Sequence, residues 1–191
     1  GRDKDLVKIF TVHTQMGPDI ENNPNANGFG EFLELSSDGN KMVIGAYTAG
    51  AGIVRVFNWN GTKWDKIGSD IEGINSGDKF GEFVSISSNG TRIAATAPSH
   101  DGNKGHVRVY NYNGTAWSPI GGDIDGSTNG DYFGSSVSLS ADGTILAVGI
   151  PYNDDAGGTN PGQVKIYKYD GTVWNAMGVI TPTIIASGSN K

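Results

Sequence analysis

A unit of slightly more than fifty residues, repeated in tandem, constrains this chain more than any other feature. Phe-Gly recurs at Phe29-Gly30, Phe80-Gly81 and Phe133-Gly134, spaced 51 and 53 residues apart. The same register brings back a turn at Ser36-Ser37-Asp38-Gly39, Ser87-Ser88-Asn89-Gly90 and Ser140-Ala141-Asp142-Gly143. It then brings back a small-residue strand end at Gly45-Ala46, Ala97-Pro98 and Ile150-Pro151. Next come VRVFNWNG from Val54, VRVYNYNG from Val107 and VKIYKYDG from Val164, with Trp64, Trp117 and Trp174 three residues beyond each glycine. The unit closes on Ile67-Gly68, Ile120-Gly121 and Met177-Gly178. A unit this short cannot enclose a core alone, so successive units must bury one another.

Each unit reads as four strands. The first alternates, with Leu33 and Leu35, Val84 and Ile86, or Val137 and Leu139 on one face. An Asp-Gly or Asn-Gly pair follows, the composition of a two-residue type I′ hairpin turn. The second strand (Met42 to Ala46, Ile93 to Ala97, Leu146 to Ile150) is apolar throughout, as a strand covered on both faces must be. The third places Val54 and Val56 on one face and Arg55, Phe57 and Trp59 on the other, and the fourth carries the tryptophan. Glycine, 30 of 191 residues, punctuates the turns between them. No segment has a helical period.

The expectation is an all-β fold, a β-propeller built of four-stranded antiparallel blades. A stacked β-sandwich is the competitor, but it would leave one polar face per sheet. The blades fall at 19–69, 70–122 and 123–178, after a partial blade at 1–18 and before a C-terminal tail or further blade start at 179–191 with one strand around Thr183 to Ala186. That makes about three and a half blades. A seven-bladed ring of such units needs roughly 370 residues, so the chain is expected to be part of a longer protein, a four-bladed ring closed by its two ends, or one part of an assembly.

Charge and composition exclude several classes. With 14 Lys+Arg against 20 Asp+Glu, the net charge of −6 repels phosphate backbones, so nucleic acid is a poor partner. The absence of cysteine removes disulfide frameworks and thiolate zinc sites. No apolar run approaches the ~18 residues of a membrane span, and GRDKDLVKIF lacks the apolar core of a signal peptide.

FGEFLELSSDGNKMVIGAY, FGEFVSISSNGTRIAATAP and FGSSVSLSADGTILAVGIP resemble FG-GAP repeats, the blades of the integrin α-subunit head. They are still more similar to the cousins of roughly 53 residues found in tandem in secreted and surface proteins of bacteria, marine eukaryotes and their viruses. The resemblance covers about residues 19 to 178. It implies a propeller with an extracellular, cell-surface or virion-surface role in adhesion or assembly, and partners that are other proteins or surface glycans. Integrin-type blades often carry a calcium loop, DxDxDGxxD, after the first strand. Here that connection is only Ser-Ser-Asp-Gly or its variants, too short to wrap a cation that needs six to eight oxygens.

A second acidic pattern lies between units. Asp70 and Glu72 lead to Asp78, and Asp123 and Asp125 lead to Asp131, with a weaker copy at Asp19 and Glu21 and a related group at Asn153-Asp154-Asp155. Carboxylates at i and i+2 beside glycines can converge on calcium, the candidate cofactor; equally, they can cap loop amides in Asx turns. Trp64, Trp117 and Trp174 are candidate sugar-stacking residues, although recurrence at one repeat position favours packing between blades. Asn60, Asn89 and Asn113 each begin an Asn-Gly-Thr sequon, meaningful only in a eukaryotic secretory pathway.

Catalysis finds little support. His13, His100 and His106 are the three histidines; His106 aligns with Ile53 and Gln163, a slot that the repeat treats as variable, and His100 falls in a variable loop, where a solvated loop histidine is expected. GxSxG is missing, and the turns do not match the SxDxGxTW of sialidase propellers. The sequence therefore points to a non-enzymatic adhesion or assembly module. A carbohydrate-binding propeller and part of a glycan-active enzyme are the alternatives.

Overall fold

The computed structural model describes residues 6–11, 14–21, 28–48, 50–153 and 162–181. Three sheets follow one another along the chain, each antiparallel with its strands in sequence order. The first holds Leu33–Leu35, Lys41–Ala46, Ile53–Trp59 and Trp64–Lys66, with Ile71–Glu72 returning to pair with the start of the third strand. The second holds Val84–Ile86, Arg92–Ala97, His106–Tyr112 and Trp117–Asp125; the third holds Ser136–Leu139, Ile145–Ile150, Gln163–Tyr169 and Trp174–Ile180. Before them, Leu6–Val7 pairs with Ile20–Glu21, placing Val7 opposite Ile20 as Val54 stands opposite Ile71. These sheets are the blades of a β-propeller.

The core lies between blades. Met42, Ile44 and Phe57 pack toward Val7 and Ile20, while Val43, Val54 and Val56 pack toward Phe80, Ile93 and Ala95 of the second blade. Ala94, Val107 and Val109 in turn meet Phe133, Leu146 and Val148 of the third. Period-2 alternation thus divides each second strand between two seams, and for this reason KMVIGA and RIAATA are buried almost from end to end. Polar contacts repeat at the same pitch. Glu34 accepts a hydrogen bond from the Ile86 amide at 2.6 Å, and Ser85 accepts one from the Leu139 amide at 3.0 Å. The turns also join, Ser37 N–H to the Ser88 carbonyl (3.0 Å) and Ser88 N–H to the Ala141 carbonyl (2.9 Å).

Two expectations need correction. The Asp-Gly and Asn-Gly turns are not type I′, since Asp38, Asn89 and Asp142 keep negative φ. Each is a turn from Ser36, Ser87 or Ser140 to a glycine at positive φ, closed at 2.8 Å. The intervening Asp or Asn side chain accepts from the amide two residues on, a local geometry that serves as well as a primed turn. The unit boundaries also shift. Ile71–Glu72 and Asp123 to Asp125 belong to the fourth strand of the preceding blade, and Val179 and Ile180 likewise extend the third blade, Ile180 opposite Val164 as Ile124 stands opposite Val107. Backbone pairing carries the strand past the bulge near Val107 and Val109, whereas the acidic residues had suggested a link. The tail strand expected at Thr183 to Ala186 lies outside the described residues.

Candidate functional site

The acidic residues meet separate partners. Asp70 takes the Arg55 guanidinium across the strand, Nε at 3.0 Å and a terminal nitrogen at 2.7 Å, and also Lys66 at 2.6 Å. Asp123 takes Arg108 in the same manner at 2.8 and 2.7 Å. The Arg55 hydrogen bonds hold the Asp70 carboxyl at a pKa of about 2, and those of Arg108 lower that of Asp123. Asp78 accepts from Asn75 and bonds His100; Asp131 accepts from Asn153; Asp125 bonds His106; Glu72 is exposed. Each of the pairs Asp70/Glu72 and Asp123/Asp125 thus has one carboxylate engaged by an arginine. The arginine on the neighbouring strand claims one member of each pair, a partner that i, i+2 spacing along one strand cannot reveal. Asp154 and Asp155 lie outside the described residues.

The tryptophans serve the seams. Trp117 donates its indole N–H to the Ile67 carbonyl at 3.1 Å, and Trp174 to the Ile120 carbonyl at 3.2 Å, each reaching into the blade before it. Gly68 and Gly121 admit these rings: both have positive φ, and a β-carbon at Gly68 would sit 2.7 Å from the Trp117 ring. Trp64 is buried among Phe29, Phe57 and Ile20, and Trp117 and Trp174 are half-buried against the seam. The sequon asparagines are exposed but occupied: Asn60 accepts from the Thr62 and Lys63 amides while its side-chain nitrogen donates to Asp65, and Asn113 accepts from the Thr115 and Ala116 amides. Asn89 accepts from Ser87 and Thr91. These contacts are the Asx geometry that shapes the turns.

One end of the second and third blades gathers the remaining polar chemistry. After Pro98 the chain makes a tight turn, His100–Asn103, with Asp101, Gly102 and Asn103 all at positive φ. It places His100 with its Nδ1 2.6 Å from Asp78. His106, which opens the third strand, is 2% exposed, and its Nδ1 lies 2.7 Å from Asp125 directly across the ladder. A carboxylate can only accept, so Nδ1 carries a proton in both rings. Burial lowers the His106 pKa more than Asp125 raises it. His100 is therefore partnered and half-buried, in contrast to the solvated loop residue expected, and the variable slot of His106 is a buried one. His13 lies outside the described residues. The available signal was His106 standing at a slot that holds Ile53 in the first repeat, since that slot faces inward; the Asp125 partner required the strand register.

Beside this turn is an open cleft between blades lined by Lys79, Glu82, Phe83, Pro98, Tyr132 and Tyr152. Lys79 and Tyr132 occupy equivalent places ahead of Phe-Gly, and both adopt positive φ, 61° and 55°. A bulky residue in that region is strained by about 1–3 kcal/mol unless its surroundings hold it. Here the Tyr132 amide donates to Asn103 and its carbonyl accepts from Ser135. Tyr132 and Tyr152 meet edge to face at 5.5 Å, and Tyr152 is 52% exposed.

Comparison with known proteins agrees with this architecture. Residues 124–167 match the model of the FG-GAP repeat family. A search of curated proteins finds no significant match. Among solved structures, a provisionally assigned 6-phosphogluconolactonase from Bacteroides fragilis is similar at 15% identity, TM-score 0.59, over 85% of this chain and 41% of its own. A second provisional assignment of that kind, from Bacteroides uniformis, gives 15% identity and TM-score 0.55, over 80% of this chain and 40% of its own. The β-propeller domain of the Trilobed protease from Pyrococcus furiosus gives 13% identity and TM-score 0.52, over 92% of this chain and 49% of its own. The chain thus spans less than half the length of each of these structures, and the likeness concerns the fold. Stacked four-stranded blades, seam hydrogen bonds between residues 50 to 54 positions apart and the match over residues 124–167 make this a β-propeller chain in which residues 124–167 match the FG-GAP repeat.

Proposed function

We propose that the chain is a non-enzymatic propeller module for adhesion or protein–protein assembly at a cell surface, an appendage or a virion. The observation that carries this reading is the cleft between the second and third blades. Tyr132 and Tyr152 present amphipathic rings beside the Lys79–Glu82 ion pair on a strained, tightly bonded backbone. Rigid tyrosines flanked by mixed charge suit protein recognition, because each ring buries apolar area at small entropic cost while its hydroxyl stays wet. The FG-GAP resemblance supports an extracellular setting, and among the described residues no helix is long and apolar enough to cross a membrane.

A carbohydrate-binding role is the second reading, and it now rests on Tyr132 and Tyr152 instead of the tryptophans. The deciding experiment presents the purified chain, the Tyr132→Ala/Tyr152→Ala double variant and a glycan-stripped control to a panel of extracellular proteins and to a glycan array. Protein binding that the double variant weakens at least tenfold supports the proposal. Binding confined to the glycan array transfers the function to the lectin reading, and turnover of an arrayed glycan overturns both.

A further inference from the structure

We propose that Asn113 is a site of spontaneous deamidation, a modification that the fold leaves open there and restrains at two asparagines in the same local sequence. Asn-Gly-Thr occurs at Asn60, Asn89 and Asn113, so the three share their immediate chemistry and differ in their surroundings. Asparagine is among the thermally labile side chains, and a following glycine is the reactive pairing because no β-carbon shields its amide nitrogen. That nitrogen loses its proton and bonds the asparagine Cγ. The Cγ–Nδ2 bond breaks and ammonia carries the proton away, leaving a succinimide. Water from solvent then opens the ring at Cγ, giving aspartate, or at the main-chain carbonyl carbon, giving isoaspartate.

The three sites differ in the attacking nitrogen, the leaving amide and the cover over both. Gly114 is exposed, a β-carbon there would meet nothing within 4 Å, and among the described residues its N–H has no acceptor. The Asn113 side-chain nitrogen likewise has no acceptor among the described residues. Its Oδ1 takes the Thr115 and Ala116 amides at 2.9 Å each, which polarises Cγ toward attack. Asn60 and Gly61 match this arrangement except that Asp65 holds the Asn60 Nδ2 at 2.6 Å and so retains the leaving amide. Asn89 differs most. The Gly90 N–H already donates to the Ser87 carbonyl at 2.8 Å, and Gly90 is buried against the Lys41 side chain, which in turn donates to the Asn89 carbonyl at 3.1 Å. The aspartate product suits the turn: Asp170 stands at the place of Asn113 in the third repeat and takes the Thr172 and Val173 amides at 2.8 and 2.9 Å. The isoaspartate product inserts a carbon into the turn that sets Tyr112 against Trp117, whose indole bonds the blade before it.

The test incubates the unglycosylated chain at mildly alkaline pH, folded and in urea, and follows by peptide mass spectrometry the exchange of amide for acid at each asparagine. In the folded chain Asn113 should react first and Asn60 about tenfold more slowly, the worth of one hydrogen bond to a charged group. Asn89 should be slower again, and in urea the three rates should converge. Asp65→Ser installs the residue type that the second repeat carries at that place, Ser118, and should bring Asn60 up to the Asn113 rate. An Asn113 that reacts only in urea, or an Asn60 rate that does not rise in folded Asp65→Ser, overturns the proposal. If Asp65→Ser fails to fold, the ratio of Asn113 to Asn89 in the folded parent chain decides: about tenfold or more supports the site, and a smaller ratio overturns it.

Discussion

Val107 and Val164 occupy the same place in successive repeats and face the same way, yet Val107 is fully enclosed and Val164 is 36% exposed. The strands around them match: both pair with a second strand on one side and a fourth on the other, with Ile124 or Ile180 directly opposite. What differs is the neighbour. Phe133, Leu146 and Val148 of the third blade cover Val107, while in the third blade Met177, Val179 and Ile180 of the same sheet are more than half exposed. Burial in this molecule is conferred by the next blade and not by the hairpins of a blade itself. The same pair of strands shows how freely a slot inside that frame can vary, since His106 opens one third strand and Gln163 the other. Around His106 the second repeat builds a polar cluster with Asp125 and His100. The third keeps only the Asp131–Asn153 half of that arrangement.

The largest test of this contrast removes the ring that closes the seam. Phe133→Ala empties a site where the phenyl is 1% exposed and meets Tyr167 edge to face at 6.2 Å. It should cost about 3–5 kcal/mol in denaturant unfolding, and a loss under ~1 kcal/mol would show that the second and third blades are not coupled. Next comes the direct comparison: Val107→Ala should cost about 2 kcal/mol, and Val164→Ala under ~1 kcal/mol. Equal losses would break the contrast outright.

A smaller effect separates the ion pairs. Asp70 has a folded pKa of about 2 against the ordinary aspartate value of 3.8, so the native state binds fewer protons between those values. Its stabilisation is fully present above about pH 4 and disappears as pH falls through about 2. Asp70→Asn should flatten stability measured by urea midpoint over that window. In the third repeat Lys165 stands opposite Val179 and has no equivalent acid across the ladder, so Lys165→Gln should leave the slope as it is. An unchanged slope in Asp70→Asn would remove the pair from the account. Smallest of all is calcium: because arginines hold Asp70 and Asp123, a calcium-selective chelator should leave Tm unmoved, and a clear fall would restore the acidic strands as a cation site.

Much of this was legible because repetition multiplies weak signals. A single apolar run such as RIAATA does not say which face it buries, but three aligned copies beside three alternating strands imply sheets covered on both sides. The tryptophans were legible as packing residues for the same reason, though not their indole bonds to Ile67 and Ile120. Three things escaped. The acids were read along the chain as metal-ligand candidates or turn caps, whereas Arg55 and Arg108 reach them across it, 15 residues away. The histidines were read from loop position and slot variability, yet His106 is enclosed by strand register. Lys79 and Tyr132 gave no signal at all, since nothing in a side chain announces that the backbone before Phe-Gly must turn left-handed.

By itself, then, the sequence determined the repeat, the strand order within each unit and the stacking of blades, because alternation and turn chemistry are local properties that survive without knowledge of neighbours. Only the tertiary structure decided where each blade ends, which carboxylate meets which cation, and that His100, His106 and Asp125 stand together. Those outcomes depend on cross-strand register and on the next blade's surface, which bring together residues about 20 to 54 positions apart that no local pattern links.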